Sequence, residues 1–152
     1  MIRIPITLAR RPGFENDPQS FTSPVIDVTI AAVPYVHSDG TCTKTSEQKI
    51  RVLLDTGADL GGVDERLLKR IGSKSCGPDL ATTKSIHGEH THNLYFVSLL
   101  FPGMSSPFGA YVTGLPLQDG SRAYEAILGM EFLKLGRLVI DAAGESYFEL
   151  RD

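Results

Sequence analysis

The stretch Ile50-Arg51-Val52-Leu53-Leu54-Asp55-Thr56-Gly57-Ala58-Asp59 decides the fold. Ile50 to Leu54 is a short apolar run, and the Asp-Thr-Gly after it is turn chemistry. A strand that ends there presents the Asp55 carboxylate on a tight turn. The Thr56 hydroxyl can bond to backbone or to a partner, and Gly57 lets another chain approach closely. Such a setting suits a catalytic aspartate that sits beside a second carboxylate and shares one proton with it. The tripeptide occurs once in the 152 residues. A site built from two such carboxylates therefore needs two chains.

The flanking sequence reads as mostly strand. Val25 to Val33 (VIDVTIAAV) has Val, Ile and Thr in near alternation and predicts a strand. It forms a hairpin with Lys49 to Leu54 across a long polar tip, His37 to Gln48. Met1 to Leu8 predicts an edge strand because of Pro5, and Arg10 to Pro24 a loop. After the Asp55 turn comes a short helix that Asp64 can cap, with Leu67, Leu68 and Ile71 at helical spacing and Gly72 at its end. Ser73 to Pro78 reads as a connection. Leu80 to Ile86 and His90 to Phe101 predict a long hairpin about His87-Gly88-Glu89. Phe108 to Thr113 is a further strand, and Leu115 to Ala123 a loop. Ala126-Ile127-Leu128 is an apolar strand ending in Gly129, followed by a short helix, Met130 to Leu135, stopped by Gly136. Leu138 to Asp141 and Ser146 to Leu150 close the chain as a hairpin. Tyr95, Phe96, Phe101 and Phe108 read as core residues.

Composition narrows the function classes. With 41% hydrophobic and 22% charged residues the chain is an ordinary globular one. The net charge is −3, and lysines and arginines are scattered. The nearest basic cluster, Arg66 to Arg70, falls in the expected helix as a solvated face, so nucleic-acid binding is unsupported. Cys42 and Cys76 have neither metal nor redox spacing and read as free thiols of a reducing compartment. Neither a signal peptide nor a membrane-length apolar run is visible, which points to a cytoplasmic location.

Three segments together carry a resemblance: Leu53-Leu54-Asp55-Thr56-Gly57-Ala58-Asp59, the hairpin around Gly88, and Ala126-Ile127-Leu128-Gly129-Met130-Glu131-Phe132-Leu133. The chain resembles the retropepsin-like aspartic proteases, the retroviral proteases and their bacterial and eukaryotic single-domain relatives, over about Val25 to Leu150. The resemblance implies a mostly β, closed barrel-like fold with a flap hairpin and one or two short helices. It implies one domain over 1–152, with 1–24 as an N-terminal strand and loop extension and 25–150 as the protease core. It implies a homodimer that hydrolyses peptide bonds of an extended peptide or protein substrate, with no cofactor and no metal. Asp55, Thr56 and Gly57 are then the catalytic residues, one Asp55 per subunit, with Thr56 locked across the dyad to its counterpart. Ala58, Asp59, Ile86, His87, Gly88, Ile127 and Leu128 are the implied substrate-binding residues. Ile86 to Glu89 is the implied flap tip, and Ile127 the wall of a substrate pocket.

The chain departs from the viral pattern at one informative place. Viral enzymes carry an arginine after the glycine of the late motif, paired with the second aspartate of Asp-Thr-Gly-Ala-Asp. Met130 stands at that position, so Asp59 lacks that partner. In the viral enzymes the chain termini form the dimer sheet, which makes Met1 to Leu8 and Tyr147 to Leu150 the candidates for that role.

Two alternatives remain open on the residues. A non-catalytic module of the same fold would hold an extended peptide without cutting it. His87, His90 and His92 with Glu89 form the one metal-like cluster, and His90 and His92 share a strand face. The chain has neither His-Glu-x-x-His nor nearby cysteine ligands, so a solvated hairpin arm is the simpler reading. Asp141 starts a second Asp-x-x-Gly, which belongs to the terminal hairpin turn.

Overall fold

The computed structural model describes residues 1–42, 44–85, 88–117 and 120–151, and for 77–85 and 88–90 the backbone alone. The expected first strand is two strands, β1 (Ile2–Pro5) and β2 (Thr7–Arg10). Pro5 has no N–H to continue the ladder, and the chain changes sheet there. The Ile6 N–H donates to Ser146 O at 2.9 Å instead.

The chain continues through β3 (Thr22–Ala32), β4 (Glu47–Leu54), β5 (Gly62–Asp64), α1 (Glu65–Arg70), β6 (Ser75–Ser85) and β7 (Gly88–Leu100). It then forms β8 (Phe108–Leu115), β9 (Ala126–Leu128), α2 (Met130–Leu133), β10 (Gly136–Val139) and β11 (Tyr147–Leu150). The larger sheet runs β2-β3-β4-β9-β5-β8-β7-β6. A further pairing of β3 with β7 joins β3, β4, β9, β5, β8 and β7 into a closed ring. This is the mostly β architecture with two short helices that the residues predict, closed into the barrel that the resemblance implies. The length of β3 makes closure possible: β4 covers one edge over Val25–Ala31, while β2 and β7 share the other edge at opposite ends.

Alternation along the strands fills the barrel. Ile26, Val28 and Ile30 of β3, Ile50, Val52 and Leu54 of β4, and Tyr95, Val97 and Leu99 of β7 all point into one core. Each such aliphatic side chain contributes about 1.5–3 kcal/mol by leaving water. The same period corrects one expectation. Phe96 lies between inward-facing Tyr95 and Val97, so it faces out, against Tyr111 at 4.9 Å between ring centroids. At one end Phe101, just past β7, packs with Phe108 of β8, Phe132 of α2 and Phe148 of β11, with neighbouring rings 5.0–5.4 Å apart. Phe148 belongs to a three-stranded sheet, β1-β11-β10, which this stack fastens to the barrel. In that sheet β11 is central, so both of its edges are paired within the chain.

Local chemistry sets the helices. Asp64 caps α1 as expected, its Oδ1 accepting from Arg66 N–H at 2.8 Å and Leu67 N–H at 3.3 Å. Gly72, at φ +83°, turns the chain away after the helix. Helix α2 is shorter than the expected Met130 to Leu135, because Gly136 already pairs with Leu150. Strand β6 begins inside the expected connection. Its register shifts before Pro78 and again before Thr82, which hides the period of two from sequence.

Glu65 ties α1 to the barrel: its Oε1 accepts from Tyr95 O–H and Asn93 Nδ2, both at 2.9 Å. Those two hydrogen bonds hold the Glu65 carboxyl below the usual carboxylate range. Burial, reinforced by the bond to Glu65, pushes the Tyr95 hydroxyl from 10.0 up to about 12. Folded Tyr95 thus keeps its proton where an unfolded tyrosine loses it. Folding stability therefore falls, by on the order of 2–3 kcal/mol, as pH rises from 10 through about 12. Tyrosinate absorbance during alkaline titration should therefore show a late phase that disappears in Tyr95→Phe. A variant that keeps the late phase would rule out this assignment.

Among the described residues, no helix is long and apolar enough to cross a membrane.

Candidate active site

The Asp55 turn is built where two distant strands meet. β4 and β9 pair in parallel, Val52 with Ala126, Leu53 with Ile127 and Leu54 with Leu128. The Asp55 N–H extends this ladder by donating to Leu128 O at 3.0 Å. Glu125 fixes the register from the other end. Its N–H donates to Arg51 O, and its carboxylate accepts from Arg51 N–H, each at 2.9 Å.

Beyond β4 the chain turns tightly. Gly57 N–H donates to Asp55 Oδ1 at 2.8 Å, and Ala58 N–H donates to Asp55 O at 3.3 Å. A Cβ at residue 57 would lie 3.2 Å from Asp55 Oδ1, so glycine leaves the carboxylate uncrowded. Asp55 and Ala58 are half-buried, while Thr56, Gly57 and Asp59 are exposed. The carboxylate is thus fixed by one oxygen to backbone on an accessible turn, an arrangement able to accept or deliver a proton if a second group faces it.

The segment after the turn is held by the start of α2. Met130 N–H donates to Ala58 O at 2.7 Å, and Glu131 N–H to Asp59 O at 3.1 Å. Gly61 N–H donates to Glu131 Oε1. The approach is close enough to require Gly129, where a Cβ would fall 2.6 Å from Ala58 O and 2.9 Å from the Leu60 carbonyl carbon. Glu131 and Glu125 escaped the sequence reading. The signal for Glu131 was an acidic residue in the first turn of a helix that follows glycine, which alone says nothing about what it reaches.

Ile127 is half-buried, whereas the Leu128 side chain belongs to the core. Both line an apolar cavity of about 170 Å³, together with Gly61, Tyr111 and Glu131. Of the expected flap residues, Ile86 and His87 lie outside the described residues. Gly88 pairs with Ser85, and Glu89 with Lys84, so these two belong to β7 rather than to the turn. The hairpin of β6 and β7 is present, its last described pair being Ser85 with Gly88. His92 borders a shallow cleft with Glu65 and Asn93, while the side chains of Glu89 and His90 fall outside the described set. Among the described residues, no three His, Cys, Asp or Glu side chains converge as a metal site requires. Asp59 has no ion-pair partner among the described residues. Asp141 accepts from Ala143 N–H at 2.9 Å and serves its own turn. Cys42 and Cys76 are exposed free thiols.

No model of a known protein family matches the chain, and no curated protein matches it. Among solved structures, it is similar to a retropepsin-like aspartic protease from Rickettsia conorii. Identity is 19%, over 86% of this chain and 95% of that one, with a TM-score of 0.42. It is also similar to the retroviral protease-like domain of Ddi1 from Leishmania major. There identity is 18%, over 66% of this chain and 85% of that one, with a TM-score of 0.38.

Proposed function

We propose that the protein is a homodimeric aspartic endopeptidase whose active site combines two Asp55 carboxylates, one from each subunit. The observation that carries this reading is the Asp55 turn. A single half-buried carboxylate stands on an accessible tight turn, one oxygen held by Gly57 N–H, at the junction of β4 and β9. Thr56 and Gly57 are exposed beside it, as are apolar Leu60 and Met130, at 60% and 40% of their full accessibility. A second copy related by a two-fold axis would cover that surface and bring its own Asp55 opposite the first.

Two carboxylates a few ångströms apart do not both ionise at low cost, so the pair holds one proton. The ionised member takes a proton from water as the water oxygen bonds to the peptide carbonyl carbon. The protonated member gives its proton to the carbonyl oxygen. Collapse of the tetrahedral diol then breaks the C–N bond: the ionised member takes a proton from a diol hydroxyl while the protonated member gives its proton to the leaving nitrogen, which leaves the pair with one proton again. Ala58 and Asp59 would hold the substrate backbone, with Ile127 and Leu128 lining a side-chain pocket. The β6–β7 hairpin would close over the peptide and exclude water.

Dilution tests the assembly directly. If the active species is a dimer, specific activity should fall as the protein is diluted through its dissociation constant, in step with the dimer fraction measured by sedimentation. Constant specific activity from a species that sediments as a monomer would sink the proposal. A dimer that binds extended peptides but never cleaves them, at any pH from acid to neutral, would leave the non-catalytic binding module instead.

A further inference from the structure

We infer that Glu131 is a positioning residue. Its carboxylate fixes the segment after the Asp55 turn in the shape that binds substrate, so the inference rests on the endopeptidase reading above. Three hydrogen bonds attach residues 58–61 to the start of α2, and two of them are backbone to backbone: Met130 N–H to Ala58 O and Glu131 N–H to Asp59 O. The third, Gly61 N–H to Glu131 Oε1, is the only one that depends on a side chain.

Two glycines flank this carboxylate. A Cβ at Gly61 would lie 2.6 Å from Ile127 O and 2.9 Å from Oε1, and one at Gly129 would lie 2.6 Å from Ala58 O and 2.8 Å from Oε2. A side chain at either position would crowd both the backbone and the carboxylate. Oε2 is buried and has no hydrogen-bond partner among the described residues. A buried polar atom without a partner costs stability. An apolar side chain would escape that cost, so the carboxylate is explained by what Oε1 holds. In the viral pattern an arginine on the late helix reaches an aspartate of the loop. Here the helix supplies the acceptor one residue later, at Glu131, and the loop supplies a backbone N–H. Met130, and an Asp59 with no ion-pair partner among the described residues, are consistent with an anchor at Gly61 rather than at Asp59.

Asp55 itself is held independently, by Leu128 O and by Gly57 N–H. Losing the Glu131 anchor should therefore loosen residues 58–61 more than it displaces the catalytic carboxylate. In kinetic terms KM should rise while kcat holds.

The experiment compares wild type with Glu131→Ala, Glu131→Gln and Glu131→Asp. Glutamine keeps an acceptor at the Oε1 position. Aspartate keeps the charge but is one methylene too short to reach Gly61. Expected for both alanine and aspartate is a KM increase of about tenfold with kcat within about threefold, as is usual when a supporting hydrogen bond is lost. Glutamine should restore KM to within about threefold of wild type. Amide exchange at Gly61, read by NMR without substrate, should speed up in the alanine and aspartate variants and stay slow with glutamine. Unchanged KM and unchanged Gly61 exchange in Glu131→Asp would overturn the inference, as would a glutamine variant as impaired as alanine. The aspartate variant decides the matter if alanine does not fold. Wild-type protein that cleaves no peptide refutes the endopeptidase reading alone, since Gly61 exchange still reports on the anchor.

Discussion

Asp55→Asn should lower kcat for peptide cleavage by about 10⁴-fold or more, with dimer and fold preserved. Acid and base catalysis each contribute about 10²–10⁴-fold, and in the proposed site both come from the Asp55 pair. Asparagine is nearly isosteric, and its amide oxygen can still accept from Gly57 N–H, so the turn has no reason to reorganise. Mixed dimers sharpen the test. If the site needs one carboxylate from each subunit, a dimer of one wild-type and one Asp55→Asn chain is inactive. Equal amounts of the two chains, randomly assorted, should then retain about a quarter of the activity of an all-wild-type sample. Retention of half would mean that each subunit works alone, and full activity in the pure variant would remove Asp55 from the chemistry altogether.

The second large effect is on stability. Phe132 is buried at the centre of the aromatic stack, with Phe101 at 5.0 Å and Phe148 at 5.2 Å between ring centroids. It joins α2, the end of β7 and the β1-β11-β10 sheet in one contact set. Phe132→Ala should cost about 3–5 kcal/mol, because the ring's transfer energy is lost and three different elements cannot all relax into the cavity. For a chain of this size that corresponds to a fall in Tm of roughly 6–20 °C by calorimetry. Phe132→Leu, which keeps much of the volume, should cost less. A Tm unchanged in the alanine variant would show that the stack does not fasten the terminal sheet. Phe132 also follows Glu131 directly, so loss of the ring should loosen the anchor of residues 58–61.

Much of the barrel was legible because its strands alternate cleanly. Val25 to Val33 and Lys49 to Leu54 read as strands for the reason they are strands: one face is apolar and is buried. The Asp64 cap and the Gly72 stop were legible because capping is local chemistry. Strand β5 was missed since Gly62-Val63-Asp64 is too short to show a period and is held only by β8 and β9. The start of β6 was missed because its register shifts break the alternation. Met1 to Leu8 read as one strand because its pattern crosses Pro5 without changing, and the change of sheet leaves no mark in that pattern.

The candidate site divides the same way. The sequence by itself determined a carboxylate on a glycine turn at the end of an apolar strand, present once per chain, and a late Ile-Leu-Gly segment leading into a short helix. These features depend on side-chain size, backbone freedom and periodicity over a few residues. Tertiary structure alone decided that β9 lies parallel to β4, so that Leu128 O receives the Asp55 N–H. It also decided that Glu131, seventy residues further along the chain, reaches Gly61, and that the two glycines beside it leave room for its carboxylate. Pairings over such separations come from closing the barrel as a whole, and no local pattern of residues encodes which backbone group a given side chain will meet.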